Sequence, residues 1–302
     1  MINQLKKIEI LTFIILLFGS FTCRSKVKST WFKNENYGIQ ISSKQKGILI
    51  LFPCYFCDIE KTREEAQFLK GIDERGVTTI ILNYNLRLFI SEEEKEKLRI
   101  QIDTIFQFHH LKNDPIYMGG FSSGGNLALL QCDFMSTHGS KNVKAVFSVD
   151  APLDLKQLFL NCQNDIKLHA SDVAIQEANY LTKVLKNTLG DPMVNDSMYT
   201  VFSPFTYSQN SHTGLHRLND YRIRIYTEPS SEWHKINRSR DYNFTNSRMN
   251  ERFFEYLHSL GIQSCDIIKS TNKGKLANGD INPHSWSLVE QDSLISWMKL
   301  SD

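Results

Sequence analysis

The run Gly119-Gly120-Phe121-Ser122-Ser123-Gly124 sets a serine hydroxyl among glycines, in the pattern G-x-S-x-G from Gly120 to Gly124. Flanking glycines allow a strained strand-to-helix turn that holds the serine hydroxyl exposed, and such a serine becomes a nucleophile when a base stands beside it. Five residues are a weak signal alone; the setting adds weight. Ile116-Tyr117-Met118 before the turn reads as a strand, and Asn126 to Cys132 after it as an apolar helix. The bland alternative is a glycine-rich turn that serves only tight packing. A second group able to do chemistry is Cys54-x-x-Cys57, which follows an apolar strand and precedes a helix starting near Asp58, a place where a helix N-terminus lowers a thiol pKa.

The elements around these groups alternate. Strands are expected at Tyr37 to Ile41, Gly47 to Phe52, Val77 to Leu82, Ile116 to Met118, Val143 to Val149, Ile223 to Thr227 and Cys265 to Ser270, as short apolar runs bounded by Gly, Pro or charge. Helices are expected at Asp58 to Leu69, from the acidic start Ser91-Glu92-Glu93-Glu94 to about Phe106, at Arg248 to Leu260 and at Ser285 to Leu300. Strands separated by helices imply an α/β fold, a mostly parallel sheet covered on both faces. Residues 154 to 216 break this rhythm, with helical stretches such as Val173 to Leu189 and no strand, which points to a helical cap or lid insertion shaping a pocket.

A chain of 302 residues with 41% hydrophobic content can build one large core. The 35 basic and 33 acidic residues leave a net charge of +2, with no dense basic block beyond the N-terminal flank, so nucleic acid is not expected as a partner. Residues 1–23 read as a leader: Lys6 and Lys7, an apolar run from Ile10 to Phe18, Gly19 and Ser20, then Cys23. That run is shorter than the about 20 residues a membrane span needs. Cys23 resembles the lipid-attachment site of bacterial lipoproteins, although Ser20 stands where that signal usually has Leu. The expectation is export, either as a lipid-anchored envelope protein or secreted, with residues 24–302 as the mature domain. Six cysteines are too few to form a disulfide-built scaffold.

From Gly47 onward the chain resembles the α/β-hydrolase family, on the strand, elbow and helix around Ser122 and on the late histidine. In that family the nucleophile is followed by the acid and then by a histidine in a loop after the last strand. His284, in Asn282-Pro283-His284-Ser285-Trp286, has that position and is the expected base. His109, His110, His138, His169, His212, His216, His234 and His258 fit it less well. For the acid, Glu228 in Glu228-Pro229-Ser230-Ser231-Glu232 comes first, since glutamate serves in some members. Asp150 in Val149-Asp150-Ala151-Pro152 is the main rival, at a location that some lipases of this fold use; Glu232 and Asp154 follow. The resemblance implies an oxyanion hole formed by the Ser123 amide and one from the loop after Phe52. Pro53 has no N–H, which leaves Cys54 or Tyr55.

The reaction so implied is hydrolysis of an acyl ester, on a small molecule or linked to carbohydrate, through an acyl-enzyme, with no metal or organic cofactor required. Tyr55, Phe56, Trp233 and Trp286 are candidate pocket aromatics. Two other readings stand beside it: a thioredoxin-like redox protein using Cys54 and Cys57, and a catalytically silent hydrolase fold that only binds.

Overall fold

The computed structural model describes residues 30–138 and 142–300; the leader and Cys23 lie outside the described residues. Among the described residues, eight strands form a single sheet in the order β1-β2-β4-β3-β5-β6-β7-β8. They are β1 (Trp31–Lys33), β2 (Tyr37–Gln40), β3 (Gly47–Phe52), β4 (Val77–Leu82), β5 (Ile116–Phe121), β6 (Val143–Val149), β7 (Arg222–Thr227) and β8 (Cys265–Lys269). β1 and β2 are antiparallel to their neighbours and the rest are parallel. The expected α/β class is the one observed.

The continuously apolar strands follow from burial on both faces. In β3, Ile48, Ile50 and Phe52 join one core and Leu49 and Leu51 the other. On the first face pack α2 (Glu92–Phe108), α3 (Ser123–Thr137) and α8 (Asn246–Ser259), through Leu98, Ile102, Leu127 and Phe253. On the second face pack α1 (Ile59–Glu65) and α9 (Gln291–Met298), through Ile59, Leu294 and Met298. The acidic start expected before α2 forms a capping box: Ser91 accepts from the Glu94 amide while the Glu94 side chain accepts from the Ser91 amide.

Two expected helices are shorter. The first α-helix stops at Ala66, and a separate 3-10 turn follows at Gln67–Leu69. The final helix expected from Ser285 is instead a 3-10 turn at Trp286–Leu288 followed by α9, because Val289 and Glu290 take extended backbone and Glu290 starts α9. Trp286 holds that turn, buried against Phe68 and Phe121 with ring centroids 5.8 and 5.5 Å away.

Between β6 and β7 lie three helices, α4 (Leu155–Lys167), α5 (Asp172–Leu189) and α6 (Asp196–Phe202), and no sheet strand. They enclose their own apolar cluster, with Leu158, Cys162, Leu181, Leu185 and Tyr199, joined by Tyr55 and Leu88 from the sheet's loops. A short helix that the periodicity did not suggest, α7 (Ser231–Arg238), follows β7.

The turn from β5 into α3 is closely packed. A Cβ on Gly120 would lie 1.9 Å from the Gly124 carbonyl oxygen, and one on Gly124 would lie 2.3 Å from the Phe52 carbonyl oxygen and 2.4 Å from that of Pro53. Only glycine lets α3 start directly against the end of β3. Gly120→Ala should therefore lower stability by about 3 kcal/mol or more in urea unfolding, since backbone on both sides must shift. Gly261→Ala, at φ +78° with open space around it, should cost about 1 kcal/mol. Equal urea midpoints for the two variants would contradict this packing.

Candidate active site

Five of the candidate residues sit at the carboxyl end of a parallel strand or in the loop that follows one: Cys54 after β3, Ser122 after β5, Asp150 after β6, Glu228 after β7 and His284 in the loop after β8. Open α/β sheets bind ligands along this edge.

Ser122 has φ 55° and ψ −128°, in the left-handed half of backbone space that a non-glycine residue enters only when its surroundings hold it. They do: its amide donates to the Val149 carbonyl at 2.9 Å and its carbonyl accepts from the Gly125 amide at 2.9 Å. The strain leaves the side chain partly exposed at the head of α3, lining a cavity of about 390 Å³. His284, Asp150, Ser123, Cys54 and Tyr55 line the same cavity.

The carboxylate on the histidine is that of Asp150, at 2.7 Å from Oδ2 to His284 Nδ1. Asp150 is 3% exposed, and its other oxygen accepts from the hydroxyls of Thr227 and Ser247, each at 3.1 Å. The backbone is fixed as well: the Asp150 amide donates to the Tyr226 carbonyl at 2.8 Å, and its carbonyl accepts from Asn246 Nδ2 at 3.0 Å. With a carboxylate as partner, Nδ1 carries the imidazole proton and Nε2 is left as the acceptor. His284 is 33% exposed, with Phe121 against its ring at 4.5 Å between centroids.

Glu228, expected first as the acid, is turned elsewhere. It is 1% exposed, and Oε2 accepts from the backbone amides of Lys273 and Gly274 at 2.9 and 3.1 Å, while Oε1 accepts from the Ser230 hydroxyl at 2.9 Å. The order of preference is thus reversed: Glu228 faces the loop amides and Asp150 faces the imidazole. Glu228 still serves the site, because the loop it grips carries His284. The Gly274 carbonyl accepts from the Asn282 amide at 2.9 Å, and Asn282 Oδ1 accepts from the His284 amide at 3.0 Å. Asp154 caps α4 and accepts from the Tyr207 amide at 2.7 Å, and Glu232 is exposed on α7.

Cys54 and Cys57 form a disulfide with Cα atoms 5.0 Å apart, closing the loop between β3 and α1. An eight-stranded sheet is not a thioredoxin-like domain, so that reading falls with the fold. The loop places Tyr55 under the cap, where its ring meets Phe56 and Tyr180 at centroid distances of 4.9 and 5.9 Å. Trp233 and Trp286 also line the cavity.

One of the histidines that fit the base position less well also reaches the cavity. His234, on α7, is 6% exposed and lines the same space. Burial above all pushes its imidazole down to about 4; the Asp150 carboxylate opposes this, and the positive charges of Arg240 and Arg238 act in the same direction as burial. Nothing in its local sequence distinguishes it from an exposed helix histidine.

No protein-family model matches the chain, and no curated protein sequence does. Solved structures do match. Carboxyl esterase 2 of the mycorrhizal fungus Tuber melanosporum superposes with a TM-score of 0.55 at 13% identity, over 87% of this chain and 81% of that one. An S-formylglutathione hydrolase of Agrobacterium tumefaciens gives 0.54 at 9% identity over 90% and 94%. The fluorophosphonate-binding serine hydrolase F of Staphylococcus aureus gives 0.51 at 13% identity over 91% and 98%. The chain has the α/β-hydrolase fold.

Two measurements test the site's geometry without reference to activity. The His284 Nδ1 proton should give a low-field proton resonance that Asp150→Asn abolishes and Glu228→Gln keeps; loss in both variants or in neither would refute the pairing. The second concerns His234. Unfolded, it takes up a proton near pH 6.5, and folded only near 4, so in that window the unfolded state binds more protons and stability falls as pH drops. His234→Phe should flatten this part of the stability curve, and parallel curves for the two proteins would show that the imidazole is not held neutral.

Proposed function

We propose that the protein is a serine hydrolase that cleaves a carboxylic ester, with Ser122 as nucleophile, His284 as base and then acid, and Asp150 orienting the imidazole. The observation that carries this reading is the 2.7 Å contact between Asp150 and His284 Nδ1 in the cavity that also holds Ser122 at its strained φ of 55°. A strained serine, a histidine with a fixed tautomer and a buried carboxylate converging from three loops are the parts that acyl transfer needs.

The steps follow from those parts. His284 Nε2 takes the Ser122 proton as Oγ attacks the ester carbonyl carbon, and the carbonyl oxygen becomes an oxyanion. The Ser123 amide, at the start of α3, and the amide of Cys54 or Tyr55 stabilise that charge. The support is the packing of Gly124 on the carbonyls of Phe52 and Pro53, which brings the two loops side by side. Collapse breaks the bond to the alcohol oxygen, which receives the proton from His284. Water then gives a proton to His284 as its oxygen attacks the acyl-enzyme carbonyl; collapse breaks the bond to Ser122 Oγ, which takes that proton back from His284, and the acid leaves. The residues present complete this cycle with neither metal nor cofactor taking part.

Export is also proposed, on the leader pattern before Cys23 and on the Cys54–Cys57 disulfide, which suits an oxidising compartment.

A fluorophosphonate probe should label the wild type and not Ser122→Ala. On a 4-nitrophenyl ester, kcat/KM should fall about 10⁴-fold or more for Ser122→Ala, and about 10³- to 10⁴-fold for Asp150→Asn, which disturbs the tautomer. Glu228→Gln should lose only about tenfold, by loosening the His284 loop. Absence of labelling, or labelling that survives Ser122→Ala, would favour a catalytically silent fold. A larger loss for Glu228→Gln than for Asp150→Asn would return the acid to Glu228.

A further inference from the structure

His234 is a polar side chain buried with nothing to satisfy it: among the described residues, neither Nδ1 nor Nε2 has a hydrogen-bond partner. A buried donor or acceptor left unpaired costs stability and calls for an explanation, one of which is that it is kept for a ligand. The position favours that explanation. His234 lines the cavity beside Trp233, and Ser122, Asp150 and His284 line that same cavity.

The kind of ligand group follows from the charges around it. Each cationic side chain lining the cavity is matched by a carboxylate: Arg240 meets Asp165 through Nε and Nη2, with Nε to Oδ1 at 3.1 Å; Arg238 meets Glu177 at 3.7 Å; Lys61 meets Glu65 at 2.9 Å. An anionic substrate group would compete with these carboxylates. A neutral imidazole offers one donor and one acceptor nitrogen, which suits a group that can be either, and the simplest such group is a hydroxyl.

We propose that His234 is a specificity-determining residue, and that the ester substrate carries a hydroxyl group, on its acyl or its alcohol part, that hydrogen-bonds to the His234 ring. This rests on the hydrolase reading for the identity of the reaction, while the contact itself is a matter of binding.

The test uses the full mature chain and matched pairs of compounds. For the acyl side, 4-nitrophenyl 3-hydroxybutyrate is compared with 4-nitrophenyl butyrate; for the alcohol side, glycerol monobutyrate with propyl butyrate. On one of the two sides the wild type should prefer the hydroxylated ester by about tenfold in kcat/KM, the factor that one ordinary hydrogen bond supplies. His234→Phe should bring that ratio to near one and His234→Asn, which keeps a donor and an acceptor, should restore it. The side that responds locates the hydroxyl.

A second arm does not depend on catalysis. Calorimetric binding of the corresponding amides to Ser122→Ala protein should show the same preference, removed by adding His234→Phe. If Ser122 is neither labelled nor active, the hydrolase reading fails while this binding ratio still decides the role of His234. Equal ratios for wild type and His234→Phe in both arms would overturn the proposal. So would a marked fall in Tm for His234→Phe, because a side chain kept unpaired for a ligand should be replaced by an apolar ring with Tm unchanged or raised.

Discussion

The Asp150 carboxylate is the junction on which the site depends. A buried carboxylate is tolerated only where its oxygens find donors, and Asp150 finds them on three separate pieces of chain: Thr227 at the end of β7, Ser247 in α8 and His284 in the loop after β8. None of these segments is close to another in sequence, so the contact fixes the relative placement of β6, β7, α8 and the histidine loop at once. Glu228 does the complementary work one strand over. Its Oε2 accepts from the Lys273 and Gly274 amides, and the same Ser247 hydroxyl that reaches Asp150 lies 3.0 Å from the Glu228 carbonyl oxygen. The two carboxylates act on one loop, the first on its imidazole and the second on its backbone.

This division explains what could and could not be read from the sequence. The elbow serine was legible because its signal is local: glycines at fixed offsets between a strand and a helix. His284 was legible from its order in the chain. Which carboxylate meets the imidazole was not, because Asp150 and Glu228 end adjacent, parallel strands, with Val149 paired to Tyr226, and both are buried. What separates them is long-range: the Lys273 and Gly274 amides claim Glu228, and a backbone φ of 43° carries Asp150. Strand positions were read well because burial on both faces makes continuous apolar runs. Helix ends were read less well, since Trp286 halts the last helix through contacts with Phe68 and Phe121, more than one hundred and fifty residues away in the chain.

The three helices between β6 and β7 are held over the strand ends by two kinds of force. Tyr55 and Leu88 enter their apolar cluster from below, and two ion pairs tie them to the segment after β7. The Asp165–Arg240 pair is the more buried of these. Burial alone would lower the arginine pKa, but the paired carboxylate outweighs it and the net shift is upward. Removing either partner would strand the other in a low-dielectric setting, which is the costly case for a buried pair. The pairing therefore fixes the cap side of the cavity and also cancels charge there.

That cancellation gives His234 its character. In a cavity with a free cation, a buried imidazole would be redundant for binding an anion, and in one with a free carboxylate it would be drawn toward the protonated form. Here burial decides the outcome in favour of the neutral ring, with Arg240 and Arg238 opposing the pull of Asp150. A neutral ring without partners weakens the folded state, and a phenyl ring of similar size at this position would not carry that penalty. Packing gives no reason for a histidine at this position, whereas recognition of a neutral hydrogen-bonding group does.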